Sequence, residues 1–202
     1  MSVPAHAVVL LAAGGSRRLG KPKQLVVLDG EPLVRRAALA ALATAPAESL
    51  IVVGGHAEAV WGAVADLALT RVDCASWAEG LSASIRAGLR SLAAAVDGVL
   101  FVLCDQPALD ACHLQTLVER WCSDPQRAVA SSYSGTLGVP AVLPAAWLND
   151  LGKLTGDRGA RDLLRARSGE VLAVPAAALA DDVDVPADLA NMRVTPSPTW
   201  QD

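Results

Sequence analysis

The sequence predicts a three-layer α/β fold, a mostly parallel sheet covered by helices on both faces. Two observations predict it. Short β-branched and leucine-rich runs recur at Ala7 to Leu11, Leu50 to Val53, Val99 to Leu103, Ala128 to Ser132 and Val171 to Val174, each bounded by turn residues, and they read as buried strands. Between them lie segments with helical spacing: Ile85, Gly88, Leu89 and Leu92 share one face, as do Leu114, Leu117, Val118 and Trp121. Strands alternating with helices favour a parallel sheet with both faces covered, and such sheets bind ligands beyond the carboxyl ends of their strands.

Taken in order, the first run leads into Ala13 to Lys23, the second into Gly54-Gly55-His56, and the third into Cys104 and Asp105-Gln106-Pro107. Asp110 stands where it can cap the helix that carries Leu114 and Trp121. The stretch from Ser134 to Asp157 is punctuated by Gly138, Pro140, Pro144, Gly152 and Gly156, and reads as an insertion covering one side of the site. Residues 1–194 are expected to form a single domain, with 195–202, the Thr195-Pro196-Ser197-Pro198 end, as a disordered tail.

Composition narrows the function classes. The 202 residues are 52% hydrophobic, ample for one buried core. The net charge of −4 provides no global basic field for nucleic acid or an anionic membrane. Five Trp, one Tyr and one Phe are too few to build a row of rings for single-stranded bases. The apolar stretches fall well short of the roughly 20 residues that cross a bilayer, and the N-terminal apolar run has no basic segment before it. Cys74, Cys104, Cys112 and Cys122 lack metal-binding spacing and lie in or beside apolar segments, which suits a reducing cytoplasm. A cytoplasmic protein without nucleic-acid or membrane partners is expected.

The most informative segment is Leu11-Ala12-Ala13-Gly14-Gly15-Ser16-Arg17-Arg18-Leu19-Gly20-Lys21-Pro22-Lys23. It packs four cations and three glycines into one loop after a strand. Glycines let backbone N–H groups approach an anion closely, and clustered Arg and Lys neutralise several phosphate charges at once, a combination suited to a triphosphate. Pro22 and Gln24 follow the two lysines where a P-loop has Ser or Thr, and no GxGxxG is present.

This loop closely resembles the LAAGxSxRMGxxK signature of the molybdenum cofactor cytidylyltransferase family, with Leu19 in place of the usual Met. The resemblance continues through Trp77-Ala78-Glu79-Gly80-Leu81-Ser82-Ala83-Ser84, through Leu103-Cys104-Asp105-Gln106-Pro107, and through Gly138-Val139-Pro140, Gly156 to Arg161 and Asp182 to Asp188. It covers nearly the whole chain. It implies a Rossmann-like nucleotidyltransferase fold and transfer of CMP from CTP to a molybdopterin-type acceptor, with pyrophosphate released. Leu11, Ala12, Ala13, Gly14, Gly15 and Ser16 would cradle the nucleotide, Arg18 the β- and γ-phosphates and Lys23 the α-phosphate. Gly80 and Ser84 would meet the base and ribose edge, and Asp105 with Asp184 one Mg²⁺, making Lys23, Arg18 and Asp105 the catalytic residues. A recipient molybdoenzyme or its chaperone is the implied protein partner. Cys74 departs from the pattern, because the family often has Asn there.

Magnesium takes hard oxygen ligands, commonly one or two carboxylates plus substrate phosphates, and Asp105 stands where a strand delivers a carboxylate to the cleft. Ala13 resembles the cytidylyl branch, where a guanylyl enzyme has Gly. Other transferases share a glycine-rich basic loop, so GTP, a sugar phosphate or a methylerythritol phosphate stay open as substrates, as does a non-catalytic carrier. Trp77 suits either a base or core packing. Arg158 and Arg161 suit either the acceptor's phosphate or solvent. His6 and His113 show no partner in the sequence, and His56 is equally a capping or surface residue.

Overall fold

The computed structural model describes residues 3–191, so the expected tail lies outside the described residues. In chain order the strands are β1 (His6–Leu11), a two-stranded hairpin of β2 (Val27–Leu28) and β3 (Glu31–Pro32), β4 (Glu48–Val53), β5 (Thr70–Asp73), β6 (Gly98–Leu103), β7 (Ala128–Tyr133), β8 (Thr136–Pro144) and β9 (Val171–Pro175). The helices are α1 (Leu33–Leu42), α2 (Ala57–Gly62), α3 (Leu81–Ser91), α4 (Ala111–Ser123), α5 (Ala145–Leu151) and α6 (Ala160–Ala166).

Seven strands form one sheet in the order β5-β4-β1-β6-β8-β7-β9. Only β8 runs against its neighbours; β1, β4, β5 and β6 pair in parallel, as do β7 and β9. The period of two along each strand divides the core into two layers. Val8 and Leu10 of β1, Ile51 and Val53 of β4, and Leu100 and Val102 of β6 face α1, α2 and α4. Ala7, Val9 and Leu11, Leu50 and Val52, and Val99 and Phe101 face α3, α5 and α6. This is the three-layer, mostly parallel architecture that the buried runs predict. Asp110 caps α4, accepting a hydrogen bond from the His113 backbone N–H at 2.8 Å.

Two expectations are corrected. The stretch from Ser134 to Asp157 is no insertion: nine of its residues form β8, which lies inside the sheet between β6 and β7. The strand was hidden by Gly138 and Pro140. A register shift opposite Ala130 and Ser131 carries Pro140 out of the regular ladder, and the Ser131 hydroxyl donates to the Pro140 carbonyl at 2.8 Å. His6 and His113 also have partners, with Nε2 lying 2.9 Å from Thr44 Oγ1 and 2.8 Å from Ser131 Oγ respectively. Burial lowers the pKa of both imidazoles. No helix among the described residues is long and apolar enough to cross a membrane.

Candidate active site

Because β1 lies between β4 and β6, the loops leaving their carboxyl ends diverge and open a cleft there. The cleft has a volume of about 490 Å³, and Leu11, Ala12, Ala13, Gly14, Gly15, Ser16, Arg18, Lys23, Gly80, Ser84, Asp105 and Asp184 all line it. Arg17 joins them, whereas Lys21 and Cys74 do not. Cys74 is buried in the apolar layer under α3, so it presents no polar group where an Asn was expected to reach the cleft.

The basic loop is held from within by Gln24, a side chain that is 1% exposed. Its Nε2 donates to the Ala12 carbonyl at 2.9 Å and the Gly14 carbonyl at 2.6 Å. Its Oε1 lies 3.2 Å from the Ser16 hydroxyl, which accepts from the Lys23 backbone N–H at 2.9 Å. These bonds tie the start of the loop to its end, so the chain returns and delivers Lys23 beside the strand it left. Sequence reading noticed residue 24 only as a missing Ser or Thr. An uncharged polar residue directly ahead of the apolar run Leu25-Val26-Val27 is the signal that points to a buried clamp.

Leu19 anchors the other side of the loop. It packs with Val26, Leu33 and Val183 in a small apolar cluster, and the Val183 N–H donates to the Asp105 carbonyl at 2.9 Å. That contact carries Asp184 across to the loop. Asp188 Oδ2 then accepts from the backbone N–H groups of Asp184 and Val185 at 2.8 Å each, which sets the turn.

The result is a compact charged cluster. Lys23 Nζ lies 2.5 Å from Asp105 Oδ2 and 2.9 Å from Asp184 Oδ1, and Arg18 Nη2 lies 2.7 Å from Asp184 Oδ2. Burial opposes the charge on Lys23, but the Asp105 charge and the hydrogen bonds that the ammonium donates to both carboxylates outweigh it, so its pKa is held well above the ordinary value. Desolvation works likewise against the Asp184 carboxylate, and Lys23 with Arg18 still draws its pKa down. Asp182, which sequence reading did not single out, is pushed up to about 6 by desolvation and by the charges of Asp105 and Asp184. The other oxygen of Asp105, Oδ1, is buried and has no hydrogen-bond partner among the described residues. A buried, unpartnered carboxylate oxygen is costly unless it serves a ligand.

Gln106 braces the same corner. Its Nε2 donates to the Leu179 carbonyl at 3.0 Å and the Val139 carbonyl at 3.3 Å, drawing the β8 strand and the segment before Asp182 toward Asp105. Cys104 beneath it is buried, and its thiol is pushed up to about 12, first by burial and then by the Asp105 charge, which rules out a thiolate nucleophile at neutral pH.

The opposite wall is built on Gly80 and Trp77. The Trp77 ring lies against the loop backbone so closely that a Cβ on Gly15 would come within 2.6 Å of it. Arg17 sits over the ring, 5.8 Å from its centroid. Trp77 therefore props the basic loop from beneath. Gly80 has φ +112 and ψ −177, a conformation essentially restricted to glycine, and a Cβ there would meet the Gly156 carbonyl carbon at 2.5 Å. The close approach lets the Ser82 N–H donate to the Gly156 carbonyl at 3.0 Å, and it brings Asp157 to the cleft. Gly80→Ala is expected to cost about 1–3 kcal/mol of stability, read as a lower urea midpoint; an unchanged midpoint would mean that this wall accepts a side chain.

Comparison with known proteins agrees with this fold. Residues 8–171 match the MobA-like NTP transferase domain. The chain belongs to that family. Among curated relatives of this MobA-like chain, purine catabolism protein PucB of Bacillus subtilis (strain 168) is 30% identical over 196 residues, covering 92% of this chain and 94% of its own. Nicotine blue oxidoreductase of Paenarthrobacter nicotinovorans is 33% identical over 175 residues, covering 82% of this chain and 84% of its own. Among solved structures, a nucleotidyl transferase from Methanothermobacter thermautotroptrophicus superposes with a TM-score of 0.78 at 25% identity, covering 92% of this chain and 94% of that one. The MobA-like assignment makes the chain a nucleotidyltransferase, and the charged cluster is its candidate catalytic centre.

Proposed function

We propose that the chain transfers CMP from CTP to the terminal phosphate of a molybdopterin-type acceptor, releasing pyrophosphate. The observation that carries the reading is the joining of Lys23, Arg18, Asp105 and Asp184 at the mouth of the basic loop, with Asp105 Oδ1 buried and unpartnered. The site holds cations for phosphates and carboxylates for a metal, and among the described residues lining it there is no nucleophile and base pair. A phosphate acceptor is already a nucleophile and needs no general base, so positioning and charge neutralisation suffice.

In this reading the loop backbone from Leu11 to Ser16 cradles the nucleotide, and Arg18 draws the β- and γ-phosphates away from the attacked phosphorus. Lys23, firmly protonated, brings a full positive charge to the α-phosphate. Gly80 and Ser84 meet the base and ribose edge. Asp105 and Asp184 supply the hard oxygen ligands that suit Mg²⁺, which bound there would neutralise charge on the phosphates. Among the described residues no third carboxylate completes an all-protein metal site, so the remaining ligands would be phosphate oxygens and water, the usual arrangement for this ion. The methyl of Ala13, lining the cleft, supports a pyrimidine over a purine, although one methyl discriminates by only about 1–3 kcal/mol.

The test is incubation of the protein and Mg²⁺ with molybdenum-loaded molybdopterin and, in parallel, CTP, GTP or ATP, with product read by mass spectrometry. Repeated turnover to the cytosine dinucleotide, with guanine poorly used, is expected. Preferential guanine product would overturn the base assignment alone. Absence of product with every nucleotide would overturn the reaction. Sugar phosphates, methylerythritol phosphate and a non-catalytic carrier would then be tried in turn, together with the oxidoreductase activity that the name of one relative carries.

A further inference from the structure

The Gly54-Gly55 pair that follows β4 lies outside the basic loop, yet it is built around the same side chain. A Cβ on Gly54 would come within 2.7 Å of Trp77 Cβ, and one on Gly55 would come within 3.3 Å of the far edge of the indole and 2.9 Å of Gly15 Cα. A Cβ on Gly15 would come within 2.6 Å of Trp77 Cζ3 and 2.7 Å of Cη2. None of the three glycines has a positive φ, so what each supplies is space and not backbone freedom. Two loops leaving two strands thus give up three side chains to seat one indole.

The residue resting on the ring is the one that the loop's hydrogen bonds leave loose. The Ala13 carbonyl accepts from the Gly55 N–H at 3.0 Å, the Gly14 carbonyl from Gln24 at 2.6 Å, and the Ser16 carbonyl from the Leu19 N–H at 3.1 Å. Among the described residues no hydrogen bond reaches Gly15, so packing on Trp77 fixes it and leaves its amide open to a ligand. Two residues on, Arg17 lies over the same ring. Trp77 is itself placed from outside the loop, in the turn between β5 and α3, where its N–H donates to the Cys74 carbonyl and its carbonyl accepts from the Gly80 N–H, both at 3.2 Å. A loop of four cations repels itself, and an anion that must first order it is bound less tightly than one that finds it already in place.

We infer that Trp77 is a positioning residue for the triphosphate, a platform that holds the Gly14-Gly15 backbone and Arg17 where they meet the phosphates, and that residues 54 and 55 are glycines in order to admit it. The inference rests on the reading of the basic loop as the nucleotide cradle and is independent of the acceptor.

The test is titration of CTP with Mg²⁺ and no acceptor into the full chain, read by isothermal titration calorimetry, with a urea midpoint taken for each variant. Trp77→Leu keeps an apolar stem beside Gly54 but lacks the far ring edge under Gly15. It should fold and yet bind CTP about 10-fold to 100-fold more weakly, the order expected when a binding group is misplaced by about 1 Å. Gly15→Ala should weaken CTP by a similar factor, because its methyl drives the loop off the ring. The double variant should bind no more weakly than Trp77→Leu alone, since the methyl then occupies space the ring has left. Trp77→Phe, still a flat ring, should recover most of the affinity.

CTP affinity unchanged in Trp77→Leu, whatever its urea midpoint, would overturn the inference and leave the nucleotide reading standing, with Trp77 a core residue alone. Losses that multiply in the double variant would overturn it as well, because the indole would then act independently of Gly15, as in stacking on the base. If Trp77→Leu does not fold, Gly15→Ala is compared with and without Trp77→Phe: the shorter ring should restore part of the affinity that the methyl removes, and no restoration would overturn the inference. No saturable CTP binding to the unaltered protein would overturn the nucleotide reading, and the inference with it.

Discussion

Lys23→Ala is expected to lower turnover by about 100-fold to 1000-fold, the usual effect of deleting one preorganised charge stabiliser. The side chain is only 18% exposed and lies within hydrogen-bonding distance of both Asp105 and Asp184, so no other cation can take its place without moving the loop. Arg18, at 72% exposed and paired to Asp184 alone, is too far out to substitute. The variant also leaves two carboxylates facing each other without their shared ammonium, so it should lose some thermal stability while keeping the native circular dichroism. Initial rates with CTP and the acceptor at saturation read the effect. Near-normal turnover in a folded variant would remove Lys23 from the transition state.

Asp105→Asn is expected to abolish the response of activity to Mg²⁺ and to cost at least about 100-fold in rate. The substitution keeps the shape of the side chain and its contact with Lys23 but replaces a charged ligand by an amide, a poor donor for a hard cation. Titration of Mn²⁺ in the presence of CTP, followed by the loss of free-ion signal in electron paramagnetic resonance, gives a readout independent of catalysis. Asp184→Asn should show the smaller defect, because Asp184 is 36% exposed against 13% for Asp105 and water can replace part of its role. An unchanged metal titration in Asp105→Asn would count against the metal site altogether.

Much of the fold was legible because local pattern and tertiary role coincide. The β1, β4 and β6 runs are apolar on both faces, which is what a strand between two helical layers must be, and the sheet contains them where the runs were read. The basic loop was legible for a similar reason, since so many glycines and cations directly after a buried strand serve no packing purpose. The β8 strand was not legible. Its Gly138 and Pro140 are turn signals in isolation, and only the bulge opposite Ser131 makes them compatible with a central strand. The partners of His6 and His113 were equally hidden, since each imidazole meets a hydroxyl on another element.

The sequence by itself determined the architecture, the basic and glycine-rich character of the first loop and the family, because these depend on periodicity and on residues close together in the chain. Only the tertiary structure decided which charges meet. Lys23 and Asp184 are 161 positions apart, Lys23 and Asp105 are 82 apart, and no local propensity relates them. Their juxtaposition follows from buried contacts at a distance, the Gln24 clamp that turns the loop back and the Leu19–Val183 packing that draws the Asp184 segment across. Those contacts form only when the sheet assembles, which is why the charged cluster and the surroundings of Asp182 are set by the fold.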